Sequence, residues 1–394
     1  MHLIESQATQ VGQFIDEPQL YEKYFPLSFN DKYIVFAPFS KNSKNYDFWQ
    51  DCLSILLPEL NKNNIKILQI GAQNERPFGG CVHLMGQTSI NQVVYLIKNS
   101  IGVLSTDTFA QHIADAYNVK SVVLISNNYS VNVKGYFNPQ NQTVIEPIRE
   151  SGEKPCLALD EVPKSINRIK PEQIAQAVSK MLNLEYNFPY QTIYTGEISL
   201  ANMVISTCDS VIDPRQLGID SLIIDLSINF NEQILAQQLQ VCPCSILTNR
   251  PINLDIIKNL RPRVKELVYI IESLEFSNPD FVKEIQKLGI NVKVISTLSQ
   301  EEINRLKIDW METSIIFPKP TFPLENIKEI KDEDKSKLFY KSAKFYLGRS
   351  KLYGSKNDYT LDKPLNNFDE IVPITDNSLW YNEIDSFRVL KKTV

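Results

Sequence analysis

A chain of 394 residues exceeds what one ordinary hydrophobic core organises, so two or three domains are expected. Its 43% of hydrophobic and 22% of charged residues supply material for sizeable cores and exclude a largely disordered chain. A net charge of -5 gives no general attraction to phosphate backbones, which argues against nucleic acid as a partner.

The opening segment, MHLIESQATQVGQF, has no basic region followed by an apolar run. No stretch of the chain approaches the roughly eighteen apolar residues that cross a bilayer. A cytoplasmic chain without a membrane span is therefore expected. From about residue 33 to 184, short apolar runs alternate with amphipathic stretches, the pattern of βαβ units on a mainly parallel sheet. IVFAPF (34 to 39), KILQIG (66 to 71), VHLM (82 to 85), GVLS (102 to 105) and VVLIS (122 to 126) read as strands. Phe48, Cys52, Ile55, Leu56 and Leu60 recur at helical spacing, as do Ile90, Val93, Val94 and Ile97, and predict two helices packed on that sheet. Residues 127 to 170 are polar and aperiodic and read as a long surface excursion or functional loop. Pro171 then opens a helix whose apolar face carries Ile174, Val178, Met181 and Leu182.

A second α/β run follows at about 197 to 318, with strands MVIS (203 to 206), SLIIDL (221 to 226), SILTN (245 to 249), LVYII (267 to 271), VKVIS (292 to 296) and SIIF (314 to 317). The fold class expected is α/β, with two doubly wound Rossmann-like domains over residues 1–195 and 196–320. PKPTFP (318 to 323) is a stiff break, and 325 to 337 is a charged linker or solvated helix. Residues 321–394 form an aromatic-rich C-terminal tail expected to pack back on the domains. Within that tail Trp380, Tyr381 and Phe387 offer rings for stacking on a sugar, although packing on the core is the commoner use.

The six cysteines are irregularly placed, which suits a reducing compartment, and the one close pair, Cys242 and Cys244, precedes a buried-looking strand and reads as core. The three histidines, His2, His83 and His112, lack metal-motif spacing, so neither a metal nor another cofactor is expected. Glycine is scarce and no glycine-rich phosphate loop occurs, so any phosphate site is built differently.

Such a site is sought at the carboxyl ends of the first strands, where ligand crevices of parallel sheets open. Ser43 and Lys44 follow the first strand, a hydroxyl and a cation suited to a diphosphate, or simply a solvated loop. Glu75 follows the second and is placed either to accept from ribose hydroxyls or to lie in a surface turn. Gly86, Thr88 and Ser89 form a strand-to-helix turn whose hydroxyls suit capping of the next helix, with support to a ligand pocket. Asp107-Thr108-Phe109-Ala110-Gln111-His112 lies between a strand and a helix N-terminus, where backbone N–H groups and the helix dipole favour a phosphate or a sugar hydroxyl. Asp107 as a plain N-cap and His112 as a structural histidine are the alternatives.

In order and spacing, these residues from 34 to 126 resemble the donor-binding domain of the heptosyltransferase-like glycosyltransferases, family nine, of the GT-B fold. The resemblance covers about 150 residues. It implies a nucleotide-diphosphate sugar as ligand, an acceptor of unknown nature, and a donor site made of Ser43, Lys44, Glu75, Thr88, Asp107, Thr108 and His112. Phe109 departs from the family's Gly, a change that narrows the pocket, alters the donor or marks lost turnover. In the family an acceptor-binding half comes first and supplies the catalytic carboxylate, whereas only about 30 residues precede the first strand here. The second α/β domain is the candidate acceptor half, with Asp209, Asp213 and Asp225 as general-base candidates among which the sequence does not choose. Two functions remain open: an active glycosyltransferase, hexosyl or heptosyl and independent of metal, or a catalytically silent carbohydrate- or nucleotide-binding module of a larger assembly.

Overall fold

The structure, a computed structural model, describes residues 1–149, 151–195, 203–214, 219, 221–310, 316–318, 337–342, 344–366, 370–373 and 387–392. The chain divides into two units, Met1–Thr192 and Ile193–Val394.

The first unit runs α1 (Leu3–Val11), β1 (Lys32–Ala37), α2 (Trp49–Lys62), β2 (Ile65–Gln69), β3 (Val82–His83), α3 (Ile90–Lys98), β4 (Gly102–Thr106), α4 (Phe109–Ala116), β5 (Ser121–Leu124), α5 (Ser130–Val133), β6 (Gln142–Ile145) and α6 (Pro171–Leu182). Its six strands lie in the order β3-β2-β1-β4-β5-β6, all parallel. The order reverses between β1 and β4, which makes this sheet doubly wound. One face carries Tyr33, Val35, Leu68, Ile70 and Val103 against α3 and α4, and α2 and α6 pack together elsewhere on the sheet. The strands β1, β4 and β5 are buried on both faces, so they read in sequence as continuous apolar runs.

Local chemistry sets the helix limits. Ser89 caps α3 with a reciprocal Gln92 contact, and Pro171 occupies the first turn of α6, which ends on Asn183 at a left-handed φ of 55°. Trp49, Cys52, Leu53, Leu56 and Leu60 form the buried face of α2. Two expectations need correction. The stretch 127 to 170 contains the edge strand β6, whose burial is partial, so its short apolar run escaped the pattern. VHLM pairs only over Val82–His83, because the chain turns at Gly86, where φ is 69° and any Cβ would press on Gln73.

The second unit contains a sheet in the order β13-β12-β11-β10-β9-β8-β15-β16, formed by β8 (Met203–Ser206), β9 (Ser221–Asp225), β10 (Cys244–Thr248), β11 (Val264–Ile271), β12 (Asn291–Ser296), β13 (Ile316–Pro318), β15 (Lys344–Gly348) and β16 (Lys351–Tyr353). Consecutive strands β8 to β13 step in one direction, and the chain reverses only when β15 returns to the far side of β8, parallel to it. Right-handed crossovers in one direction put their helices on one face. Accordingly Leu235, Leu239, Ile257, Phe281, Ile285 and Leu306, from the helical segments between these strands, join a single core with Ile224, Ile246 and Tyr269.

The opposite face is filled from the stretch read as a tail: Tyr346, Tyr353 and Tyr359 pack on Ile205, Ile223, Leu247, Val268 and Ile295. That stretch is thus built into sheets. Besides β15 and β16 it supplies β14 (Leu338–Ser342), β17 (Val372–Pro373) and β18 (Phe387–Lys392), which join β7 (Tyr190–Thr195) in a four-stranded sheet. Phe368, Trp380, Tyr381 and most of 318 to 337 lie outside the described residues. Cys244 is fully buried and Cys242 9% exposed, and burial pushes the Cys244 thiol up to about 12, as expected of a core pair. Among the described residues no helix is long and apolar enough to cross a membrane.

Candidate functional site

The carboxyl ends of β1 and β4 are neighbours at the point where strand order reverses, the position at which doubly wound sheets open a ligand crevice. The loop after β1 carries Lys44 and the loop after β4 carries Asp107. Lys44 Nζ donates to Asp107 Oδ2 at 2.5 Å and approaches the Asp107 carbonyl at 3.5 Å. Gln111, one turn into α4, donates to Asp107 Oδ1 at 2.5 Å, so both carboxylate oxygens are held. Asp107 is only 6% exposed, and a buried carboxylate needs such partners.

Asp107 does not cap α4. Thr108 does, accepting from Ala110 N–H, and this leaves Asp107 in front of the helix N-terminus. Ser43, expected beside the phosphate, is wholly buried: its hydroxyl donates to Ala158 O at 2.7 Å and accepts from Asn127 Nδ2. Its backbone N–H also reaches Leu159 O, and its carbonyl accepts from Ser126. Ser43 thereby fastens the loop that aims Lys44 and has its oxygen occupied.

Around the Lys44 and Asp107 pair lies a cavity of about 740 Å³, walled by α1, the start of α3, α4 and the 133 to 137 segment. Lys44, Asp107, Thr108 and His112 all line it, and Phe109, 47% exposed, projects along its wall. Glu75 and Thr88 are not among its lining residues. Glu75 is half-buried after β2, where a Cβ on Gly71 would collide with its Oε2, and desolvation raises its pKa against the opposing Ala72 backbone bond. Thr88 is half-buried beside the Ser89 cap, so the capping role falls to its neighbour.

His112 is accessible from the cavity, and desolvation by the surrounding protein lowers its pKa from 6.5, with Asp107 and Asp115 opposing. A lowered folded pKa means that the unfolded chain takes up the proton first as pH falls. Stability from neutral His112 is therefore present above 6.5 and is lost as pH drops below that value towards the folded pKa. The expected result is that His112→Gln flattens the decline in urea midpoint between about pH 7.5 and about pH 5 relative to the unaltered protein. Identical slopes for the two proteins would show that His112 titrates alike in both states.

Several residues here were not singled out from sequence. Gln111 and Asp115 stand one and two helical turns after Asp107, a spacing that was legible as one face of α4. Asp115 accepts from the backbone N–H groups of Tyr136, Phe137 and Asn138 at 2.8, 2.9 and 2.7 Å and so fixes the cavity's far wall. His2 caps α1 through Nδ1 and meets Lys134 O through Nε2, a long-range contact with no sequence signal.

Among the general-base candidates, Asp209 is tied down: it accepts from Thr207, Asn229 and the Arg349 N–H, with Tyr359 at 3.4 Å. It fastens β8 to the β15–β16 turn. Asp225 is 3% exposed and accepts from the backbone and hydroxyl of Ser227. Asp213 is half-buried.

No curated protein matches the sequence. Among the solved structures that resemble the chain are the following three. They are the ADP-heptose lps heptosyltransferase II of E. coli (17% identity, TM-score 0.31, 45% of this chain and 50% of that one), the glycosyl transferase family 9 protein of Veillonella parvula (14%, TM-score 0.32, 40% and 48%) and the E. coli heptosyltransferase WaaC with ADP (15%, TM-score 0.31, 45% and 54%). The chain thus spans about half the length of these three structures. A family model falls wholly within the first unit: residues 5–159 are similar to Glycosyltransferase family 9 (heptosyltransferase).

Proposed function

We propose that the first unit binds a nucleotide-diphosphate sugar and that the protein transfers the sugar to an acceptor. The observation that carries this reading is the Lys44 and Asp107 pair at the reversal of strand order, in a segment matched by a glycosyltransferase family. Lys44 and the N–H groups at the start of α4 compensate the diphosphate, and Asp107 orients the sugar. In the transfer, an acceptor oxygen forms a bond to the anomeric carbon as the bond to the diphosphate oxygen breaks. The acceptor proton passes to a base, for which no residue is assigned, and the diphosphate leaves with its charge stabilised by Lys44. Glu75, outside the cavity, accepts from the ribose in this reading only if the nucleoside extends across the β2 end.

A second reading, a silent binding module, is favoured by Phe109, whose side chain occupies cavity wall where a Gly would leave room for a ligand. Calorimetric titration with a panel of nucleotide sugars, paired with assays of donor hydrolysis and transfer, separates the two. The enzyme reading expects binding with turnover. Binding without turnover for any acceptor identifies the module, and absence of binding at millimolar nucleoside diphosphate removes both.

A further inference from the structure

Part of the wall of the cavity beside Lys44 and Asp107 is apolar. Leu3, Ile90 and Phe109 converge on it while 52, 68 and 47% exposed, an arrangement of apolar side chains that leaves them in water until something covers them. Ile4, Leu20 and Val133 extend the same surface.

The polar groups on the walls are mostly engaged already. Both ring nitrogens of His2 are bonded, both oxygens of Asp115 accept from backbone, and both oxygens of Asp107 are held by Lys44 and Gln111. Asn128 Oδ1 accepts from Tyr129 N–H, and the Thr108 oxygen caps α4. For hydroxyls the wall offers His112, Gln7, the Asn128 amide nitrogen, the Tyr136 hydroxyl, the remaining donor capacity of Lys44 and the second lone pairs of the Asp107 oxygens. A hydroxyl turned to Ile90 or Phe109 gives up its water without a partner, whereas a methyl there gains contact.

We infer that the sugar accepted here is a 6-deoxyhexose, whose methyl group lies against Phe109 and Ile90 while its ring hydroxyls face Asp107 and His112. This rests on the proposed donor site and adds its specificity. Phe109 is on this view a selecting residue that fills space beside the methyl. Ile90 has the same role, which explains why an apolar residue opens α3 at an exposed position.

The test is calorimetry of the full chain with paired donors, each nucleoside-diphosphate hexose against its 6-deoxy counterpart, in the ADP, UDP, GDP and dTDP series. Each bare nucleoside diphosphate is titrated alongside. The expected result is a preference of about 10- to 100-fold for the 6-deoxy member in the series whose bare nucleotide binds, the range available to an apolar pocket. Phe109→Gly is expected to reduce that preference to within about threefold, with each donor's affinity read relative to that of the bare nucleotide for the same variant. Ile90→Ser, at a largely exposed position, is expected to lower it in the same direction. Equal affinities within a pair, tighter binding of the parent hexose, or a preference indifferent to both substitutions would overturn the inference while the donor site stands. Failure of every bare nucleoside diphosphate to bind would remove the donor site itself.

Discussion

Replacing Lys44 with alanine is expected to weaken nucleoside-diphosphate binding by about 1 to 3 kcal/mol, the range of a hydrogen bond to an ionised group. The loss appears in the bare nucleotide as much as in the nucleotide sugar, because the charge serves the diphosphate. Stability falls as well. Asp107, with its side chain 7% exposed, keeps Gln111 but loses its counter-charge. Breaking a buried pair from one side costs about 3 to 5 kcal/mol, and the 18% exposure of Lys44 lowers that to about 2. Asp107→Ala acts differently. It frees Lys44 from a competing anion, so affinity for the bare diphosphate is retained or increased while sugar transfer drops. The double variant, with neither charge, regains part of the stability lost in Lys44→Ala, and chemical denaturation of all four proteins yields the coupling directly. Unchanged nucleotide affinity in Lys44→Ala would place the diphosphate elsewhere.

The parts of this arrangement that sequence made legible are those set by local pattern. β1, β4 and β5 are continuous apolar runs because both faces are covered, and α2 and α6 show helical spacing because one face is. Lys44 and Asp107 were accessible to the same reasoning, since residues after parallel strands face the crevice. What was missed depends on contacts between distant segments. Ser43 looked like a loop hydroxyl, but residues 158 and 159, more than a hundred positions away, take up its hydrogen bonds. Ile90 fitted the apolar face of α3 by spacing, yet as its first residue it is 68% exposed on the cavity. The aromatic residues after 338 read as a tail because nothing local shows that β15 inserts beside β8, a pairing about 140 residues apart in sequence.

Asp115→Ala is expected to have the largest effect on the first unit's stability, although Asp115 lies outside every sequence motif. Its carboxylate gathers the N–H groups of Tyr136, Phe137 and Asn138, and its removal leaves three half-buried donors without an acceptor. Each orphaned donor costs about 1 to 3 kcal/mol, and entry of water into the vacated space offsets part, leaving a net loss of about 3 kcal/mol. For a unit of this size that lowers the melting temperature by about 6 to 12 °C. Asp115→Asn gives little relief, since one acceptor oxygen becomes an NH₂ aimed at other N–H groups. A further substitution distinguishes this account from general fragility. Gly135→Ala alone sets a Cβ 2.5 Å from Asp115 Oδ1 and is expected to destabilise through that clash. In the Asp115→Ala background the obstructing oxygen is gone, so the same Gly135→Ala change should cost markedly less. Additive losses in thermal denaturation would mean that the 135 to 138 segment is held by something other than this carboxylate. With the segment released, the cavity wall formed by Tyr136 and Phe137 loosens, and nucleotide-sugar affinity should fall in parallel with stability.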